Sequence, residues 1–352
     1  MSEERVRIAL VGCGKIAALH ALALDTLPQA DFVACCDGNR DRAQAMADQY
    51  QVPHVFTDAN ELFHAGLVDA ALVCTPHPAH EPVVVAAAEA GIHVMCEKPI
   101  ATTLGEADRM IAATERAGVT FGVIFQRRFW PAARRIRSAI DAGKLGKLTL
   151  GDCTVRLWRG PEYFARDPWR GKWATEGGGI LMNQAVHSID HFQWFMGRAT
   201  EVMGRIATLR HSSYIDVEDT AVATVVFANG ALGSIQASST FRPAFGFRVT
   251  VHGDSGGAVG VWERHEGELG INDIWSISGE EAMLEGWLAA DDGVPGFPQF
   301  HLLQIDDFLN AIIEDRPPAV TGAEARKSLE IILAIYESSR TGLPVTLPMP
   351  TA

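Results

Sequence analysis

VRIALVGCGKIAALHALAL, residues 6–24, begins with a short, mostly apolar run, breaks at two glycines and resumes with apolar residues every three or four positions. The first part reads as a buried strand, the last as a helix, and the glycines as the turn that joins them. The turn has the form G-x-G-x-x-A: Gly12, Gly14 and Ala17, with Lys15 and Ile16 inside it. Glycines let the backbone come close to a ligand, and the N-terminus of the helix behind them presents N–H groups that favour a diphosphate. A dinucleotide site is therefore expected at the end of the first strand.

The same alternation repeats outward from this stretch. FVACCD (32–37), VDAALVC (68–74), HVMCEKP (93–99) and VTFGVIF (119–125) are strand-like, and each is followed by a helical pattern. Near-continuous apolar strands separated by amphipathic helices predict a parallel sheet covered on both faces. Ligands of such sheets sit beyond the carboxyl ends of the strands. That rule selects Asp37, Thr75, Pro76 and His80, Glu97 and Lys98, and Gln126 and Arg127. Asp37 would accept hydrogen bonds from ribose hydroxyls and repel a 2′-phosphate, favouring NAD. Arg40 and Arg42 nearby leave NADP as an alternative. Lys98 precedes a proline and is held extended at a strand end, where a lysine is costly unless used or paired, with Glu97 as the adjacent candidate partner.

After about residue 125 the pattern changes to longer strand-like runs: LTLGDCTVRLW (148–158), EVMGRIATLRH (201–211), DTAVATVVFANGALGSIQASS (219–239) and FRVTVHGDSGGAVGV (247–261). Asn229-Gly230 and Asp254-Ser255-Gly256-Gly257 mark turns between antiparallel strands. The expected division is residues 1–125 as a doubly wound α/β domain and 126–352 as an α+β domain on a mostly antiparallel open sheet. A helix near the C-terminus is expected to pack back on the first domain. Residues 158–179 read as a loop, in which Trp158, Tyr163, Trp169 and Trp173 offer flat faces to a sugar ring. Beyond the glycine triplet, ILMNQAVHSIDHFQWFMG reads as a helix to Gly197, with Asn183, His187 and Asp190 on one face.

The glycine turn, the TPxxxH stretch at Thr75–His80, the EKP at Glu97–Pro99 and the GGG…H..D segment together resemble the Gfo/Idh/MocA family of nicotinamide-dependent oxidoreductases. The resemblance runs through nearly the whole chain. It implies a Rossmann first domain and an open second sheet used for a homodimer or homotetramer. It also implies an enzyme acting on CH–OH groups of a sugar, sugar derivative or cyclitol. Lys98 and His187 would act on one oxygen, with His187 as general base and Lys98 stabilising negative charge, or the reverse. Asp190 is the expected orienter of His187. Members of the family often carry aspartate where this chain has Asn183, and Ala185 replaces a common glycine. Asn183 is thus expected to read substrate hydroxyls.

The same residues serve a reductase of keto-sugars or dihydrodiol-type compounds, or a glycosidase that retains NAD. An NAD-binding regulator would have no need of both Lys98 and His187. A net charge of −13 argues against nucleic acid. No apolar run approaches the roughly 20 residues that span a bilayer, and the acidic start is unlike a signal peptide, so a cytoplasmic protein is expected. Six scattered cysteines without CxxC spacing read as reduced and structural. His187 and His191 have helical zinc-ligand spacing but lack HExxH and a third ligand, so no metal is expected.

Overall fold

The computed structural model describes residues 5–296 and 298–350. These fold into two compact units: residues 5–126 with 298–326, and residues 127–296 with 327–350. Relative to a division at 125, the segment 298–326 belongs to the first unit rather than the second.

The first unit is built on six parallel strands, β1 (Val6–Val11), β2 (Ala30–Cys36), β3 (His54–Phe56), β4 (Ala70–Val73), β5 (His93–Cys96) and β6 (Phe121–Val123). Their spatial order is β3-β2-β1-β4-β5-β6, in which the strand order reverses beside β1. Ile8, Leu10 and Leu72 are wholly buried, as expected of strands covered on both faces. The helix Gln299–Ile313 closes the core with Ile305, Phe308 and Leu309. Its Gln304 donates to the Val123 carbonyl at 2.8 Å and accepts the Phe125 N–H at 2.9 Å, extending β6 toward Gln126.

The second unit is an eight-stranded sheet. Its strands are β7 (Leu148–Arg156), β8 (Ala199–Ala207), β9 (Thr220–Phe227), β10 (Leu232–Ser238), β11 (Gly246–Gly253), β12 (Ala258–Glu263), β13 (Ile271–Trp275) and β14 (Val345–Thr346). The order is β13-β12-β11-β7-β10-β9-β8-β14, antiparallel except where β7 meets β10. One face carries the buried helix Val186–Met196, whose Phe192 packs edge to face on Phe227. Leu150, Met203, Val222 and Leu232 project from the other face and are exposed. Residues 158–179 are not wholly irregular: short helical turns form at Pro161–Phe164 and Trp173–Glu176.

Candidate active site

The glycine turn fits a diphosphate on observations internal to the first unit. Gly12 has φ +90°, and a Cβ there would lie 2.7 Å from the Cys74 carbonyl, so only glycine lets β1 end against β4. At Gly14 a Cβ would meet nothing within 4 Å, which leaves the backbone open to approach. The helix Ala17–Thr26 begins behind Lys15 and Ile16 with no side-chain cap and no acidic residue in its first turn. Its N-terminal N–H groups are thereby kept for an anion. Asp37 accepts the Cys13 N–H at 2.8 Å through one oxygen and the Asn39 N–H at 2.8 Å through the other. The carboxylate is locked in place at the end of β2 with acceptor capacity left over. Asn39 caps the helix Arg40–Tyr50, leaving Arg40 and Arg42 exposed.

Two buried polar atoms at other strand ends, Thr75 Oγ1 and Gln126 Oε1, have no hydrogen-bond partner among the described residues. Such orphans are uncommon and mark places where a ligand or water completes the bonding. Pro76 is exposed beside Thr75. Two residues expected to touch the dinucleotide are instead committed behind it. His80 is wholly buried, with Nδ1 3.0 Å from the Pro99 carbonyl and Nε2 2.9 Å from the Thr75 carbonyl. It clamps the end of β4 to the Lys98-Pro99 segment, whose peptide is cis. Glu97 is buried, accepting from His20 at 2.7 Å and from the Lys98 backbone N–H at 3.0 Å. Burial alone would raise its carboxyl, but the His20 bond and the charges of His20, Lys98 and His301 bring it down to about 2.

In the second unit the predicted helix starts with a π-helical turn at Leu181–Ala185, which places Asn183 one turn before His187. Such turns recur at functional sites. The glycines are there because the start is tightly packed: a Cβ on Gly179 would stand 1.9 Å from the Glu218 carbonyl oxygen. The buried Glu218 carboxylate accepts the Gly179 N–H at 2.8 Å, the Leu181 N–H at 2.9 Å and the Tyr336 hydroxyl at 3.0 Å. Burial raises this carboxyl to about 7 in spite of those donors.

Several expected roles change here. Asp190, the expected orienter of His187, is engaged by other side chains. Arg128 holds it through Nε and Nη2, both at 2.7 Å, with the Ser328 hydroxyl at 3.1 Å and Gln193 at 3.4 Å. Arg127 is not open to a substrate, because it pairs with buried Glu263 at 2.6 Å and lies over the Phe247 ring at 4.5 Å. Asn183 donates to Glu176, a buried carboxylate that also accepts the Gly171 N–H at 2.5 Å. The Asn183 amide nitrogen is thus already directed inward as well as, at 3.3 Å, to Tyr163 Oη. Tyr163 Oη further receives Arg170 at 2.5 Å and Gln184 at 2.8 Å, and Arg159 and Arg170 both lie 4.6 Å from its ring centre. Both guanidinium groups thus lie against its ring. Trp169 lies under Arg170 at 4.4 Å, and Trp173 packs edge to face on Tyr336 while its indole N–H donates to the Asp216 carbonyl. His191 is a core residue against Trp130 and Phe195, lowered to about 4 by burial.

Glu176, Gln184, Glu218 and His20 escaped the sequence reading. A carboxylate directly before a glycine triplet was the signal for Glu176. Helical spacing from Ala17 was the signal for His20.

A parallel sheet in this strand order, with an uncapped glycine turn, an aspartate closing β2 and a lysine closing β5, defines a dinucleotide-binding oxidoreductase with a separate sheet-based second unit. Residues 6–125 match the oxidoreductase family's NAD-binding Rossmann fold, and residues 137–347 match its C-terminal alpha/beta domain. The chain belongs to the Gfo/Idh/MocA oxidoreductase family. It is 31% identical to the uncharacterized oxidoreductase YrbE of Bacillus subtilis over 73% of this chain and 74% of that one. It is 29% identical to the scyllo-inositol 2-dehydrogenase (NAD(+)) of the same organism, over 99% of this chain and 98% of the relative. The WlbA dehydrogenase from Bordetella pertussis, solved with NADH and UDP-GlcNAcA, superposes with a TM-score of 0.91 at 30% identity, covering 99% of this chain and all of that one. No helix among the described residues is long and apolar enough to cross a membrane.

Proposed function

We propose that this protein is an NAD-dependent dehydrogenase that oxidises a secondary alcohol of a sugar, sugar derivative or cyclitol. The observation that carries the reading is the common edge of the first unit's sheet. There the open turn at Gly14, Asp37, the orphan oxygens of Thr75 and Gln126, and Lys98 all lie at carboxyl ends of parallel strands. Gly12, Gly14, Lys15, Ile16 and Ala17 would hold the diphosphate, Asp37 the ribose, and Thr75, Pro76 and Gln126 the remainder. NAD held there supplies a hydride acceptor.

His187 takes the hydroxyl proton, a task suited to an imidazole near neutral pH. Lys98 stabilises negative charge on a substrate oxygen, its backbone fixed by Glu97 and by the His80 clamp on Pro99. Relatives named for inositols and the WlbA complex with a nucleotide-linked uronic acid support the polyhydroxylated substrate class. Exposed Leu150, Met203, Val222 and Leu232 on the open sheet face support a homo-oligomer formed through that face. The six buried, unpaired thiols suit a cytoplasmic location.

Lys98→Ala and His187→Ala should each lower turnover by roughly 10²–10⁴, with NAD affinity by calorimetry kept within about threefold. The assay is a panel of inositols, aldoses, uronates and nucleotide sugars followed by NADH absorbance. Undiminished turnover in both variants would sink the assignment.

A further inference from the structure

His20 is wholly buried on the helix that opens at the glycine turn, one turn past Ala17. Its Nε2 meets one oxygen of Glu97 at 2.7 Å, and the other oxygen of Glu97 takes the Lys98 backbone N–H at 3.0 Å. His301, on the helix Gln299–Ile313, sets its ring edge to face against His20 with centroids 5.3 Å apart. We propose that His20 is a positioning residue for Lys98, acting through the Glu97 carboxylate and tying the cofactor-turn helix to the strand end that carries the lysine. The inference rests on the assignment of Lys98 to the reaction.

Glu97 needs a donor, so Nε2 of His20 carries a proton, and Nδ1 has no hydrogen-bond partner among the described residues. The ligating atoms of His20, Glu97 and His301 also lie within 4.8 Å of one another, as a metal site would require. A shared cation fits the distances poorly. Two atoms each about 2.1 Å from a tetrahedral ion stand roughly 3.4 Å apart, whereas His20 and Glu97 meet at hydrogen-bond distance, 2.7 Å.

Glu97 is faced by His20 and His301 from two helices, by His80 at the start of the helix His80–Glu89, by Cys74 past β4, by Cys96 on its own strand and by Lys98. Burial drives its carboxyl upward and the His20 bond is the first influence opposing it. Without that bond the carboxyl rises from about 2. The permanent anion behind Lys98 then becomes one that mild acid discharges.

His20→Leu keeps the bulk and removes the donor, while His20→Gln keeps an N–H near the position of Nε2. For His20→Leu we expect kcat to fall about 10- to 100-fold, with KM for NAD within about threefold and the acid limb of the kcat profile raised by at least ~1 pH unit. His20→Gln should restore kcat to within about threefold of the parent. If His20→Leu does not fold, His20→Asn, whose amide stops short of Glu97, takes its place with the same expectations. Equal losses in the donor-keeping and donor-free variants, or an acid limb that superposes on the parent's, overturn the proposal. Lys98→Ala run alongside separates the two readings. Full turnover in that variant defeats the proposed reaction, whereas an inert Lys98→Ala beside a parent-like His20→Leu defeats only the role of His20.

Discussion

Glu97 in the first unit and Glu218 in the second are both buried carboxylates set behind a segment that carries a proposed catalytic side chain, yet their surroundings drive them in opposite directions. Burial raises both. At Glu97 the His20 bond and the charges of His20, Lys98 and His301 prevail, and the carboxyl sits at about 2. At Glu218 the opposing groups are the N–H donors of Leu181 and Gly179 and the Tyr336 hydroxyl, and the carboxyl stays at about 7. Glu263 follows Glu218: burial raises it to about 7, with Arg127 opposing and Glu266 and Glu268 adding to the rise. At Glu97 the facing groups outweigh burial, whereas at Glu218 the hydrogen-bond donors do not. The first unit therefore keeps a standing anion beside Lys98. The second holds the start of the His187 helix with a group that titrates near neutrality.

The comparison can be broken most severely at Arg128. Replacing it with methionine strands Asp190, 1% exposed, without the cation that holds it through two bonds. Urea unfolding should show a loss of about 3–5 kcal/mol. A loss below about 1 kcal/mol would show that Asp190 does not depend on its arginine.

A smaller effect tests Glu218 itself. Its folded value of about 7 lies above the ordinary 4.5 of a glutamate, so folding favours the protonated form. The stability it contributes is present below about pH 4.5 and is lost as pH rises through about 7, by up to roughly 3 kcal/mol. Glu97 has the reverse sign, contributing stability above its ordinary value that is lost as pH falls toward about 2. Urea midpoints taken at about pH 5 and about pH 8 should therefore fall with pH in the parent and fall less in Glu218→Gln. Identical slopes would mean that Glu218 does not titrate in this range.

The smallest expected change is at Asn183, where aspartate would set a second carboxylate against Glu176, the present acceptor of the amide. Two like charges cannot both ionise cheaply, so one retains a proton. Asn183→Asp should lose about 1 kcal/mol between about pH 5 and about pH 8 relative to the parent. A pH-independent difference would show that Glu176 and position 183 are not coupled.

The parts of the molecule legible from sequence share one property, that their partners lie nearby along the chain. The glycine turn, Asp37 closing the second strand and EKP closing the fifth each sit where a strand meets a turn, and the structure puts them there. The second unit was less legible. Arg128 and Asp190 are 62 positions apart, and no local pattern announces that the carboxylate will take an arginine rather than turn to His187. Tyr163 was readable as an aromatic in a loop, but not as a phenol receiving three side-chain donors with two guanidinium groups against its ring.

The amino-acid order by itself determined the alternating strands and helices, the turn shaped for a diphosphate and the residue types that can move protons and read hydroxyls. These follow from side-chain periodicity and from backbone conformations that glycine and proline impose within a few residues. Tertiary structure alone decided which polar groups remain available. A buried charge must be paired wherever the fold provides a partner, and that choice spent Arg127, Asp190, His80 and Glu97 on internal bonds. It also brought His20 behind Lys98, where its imidazole meets the Glu97 carboxylate.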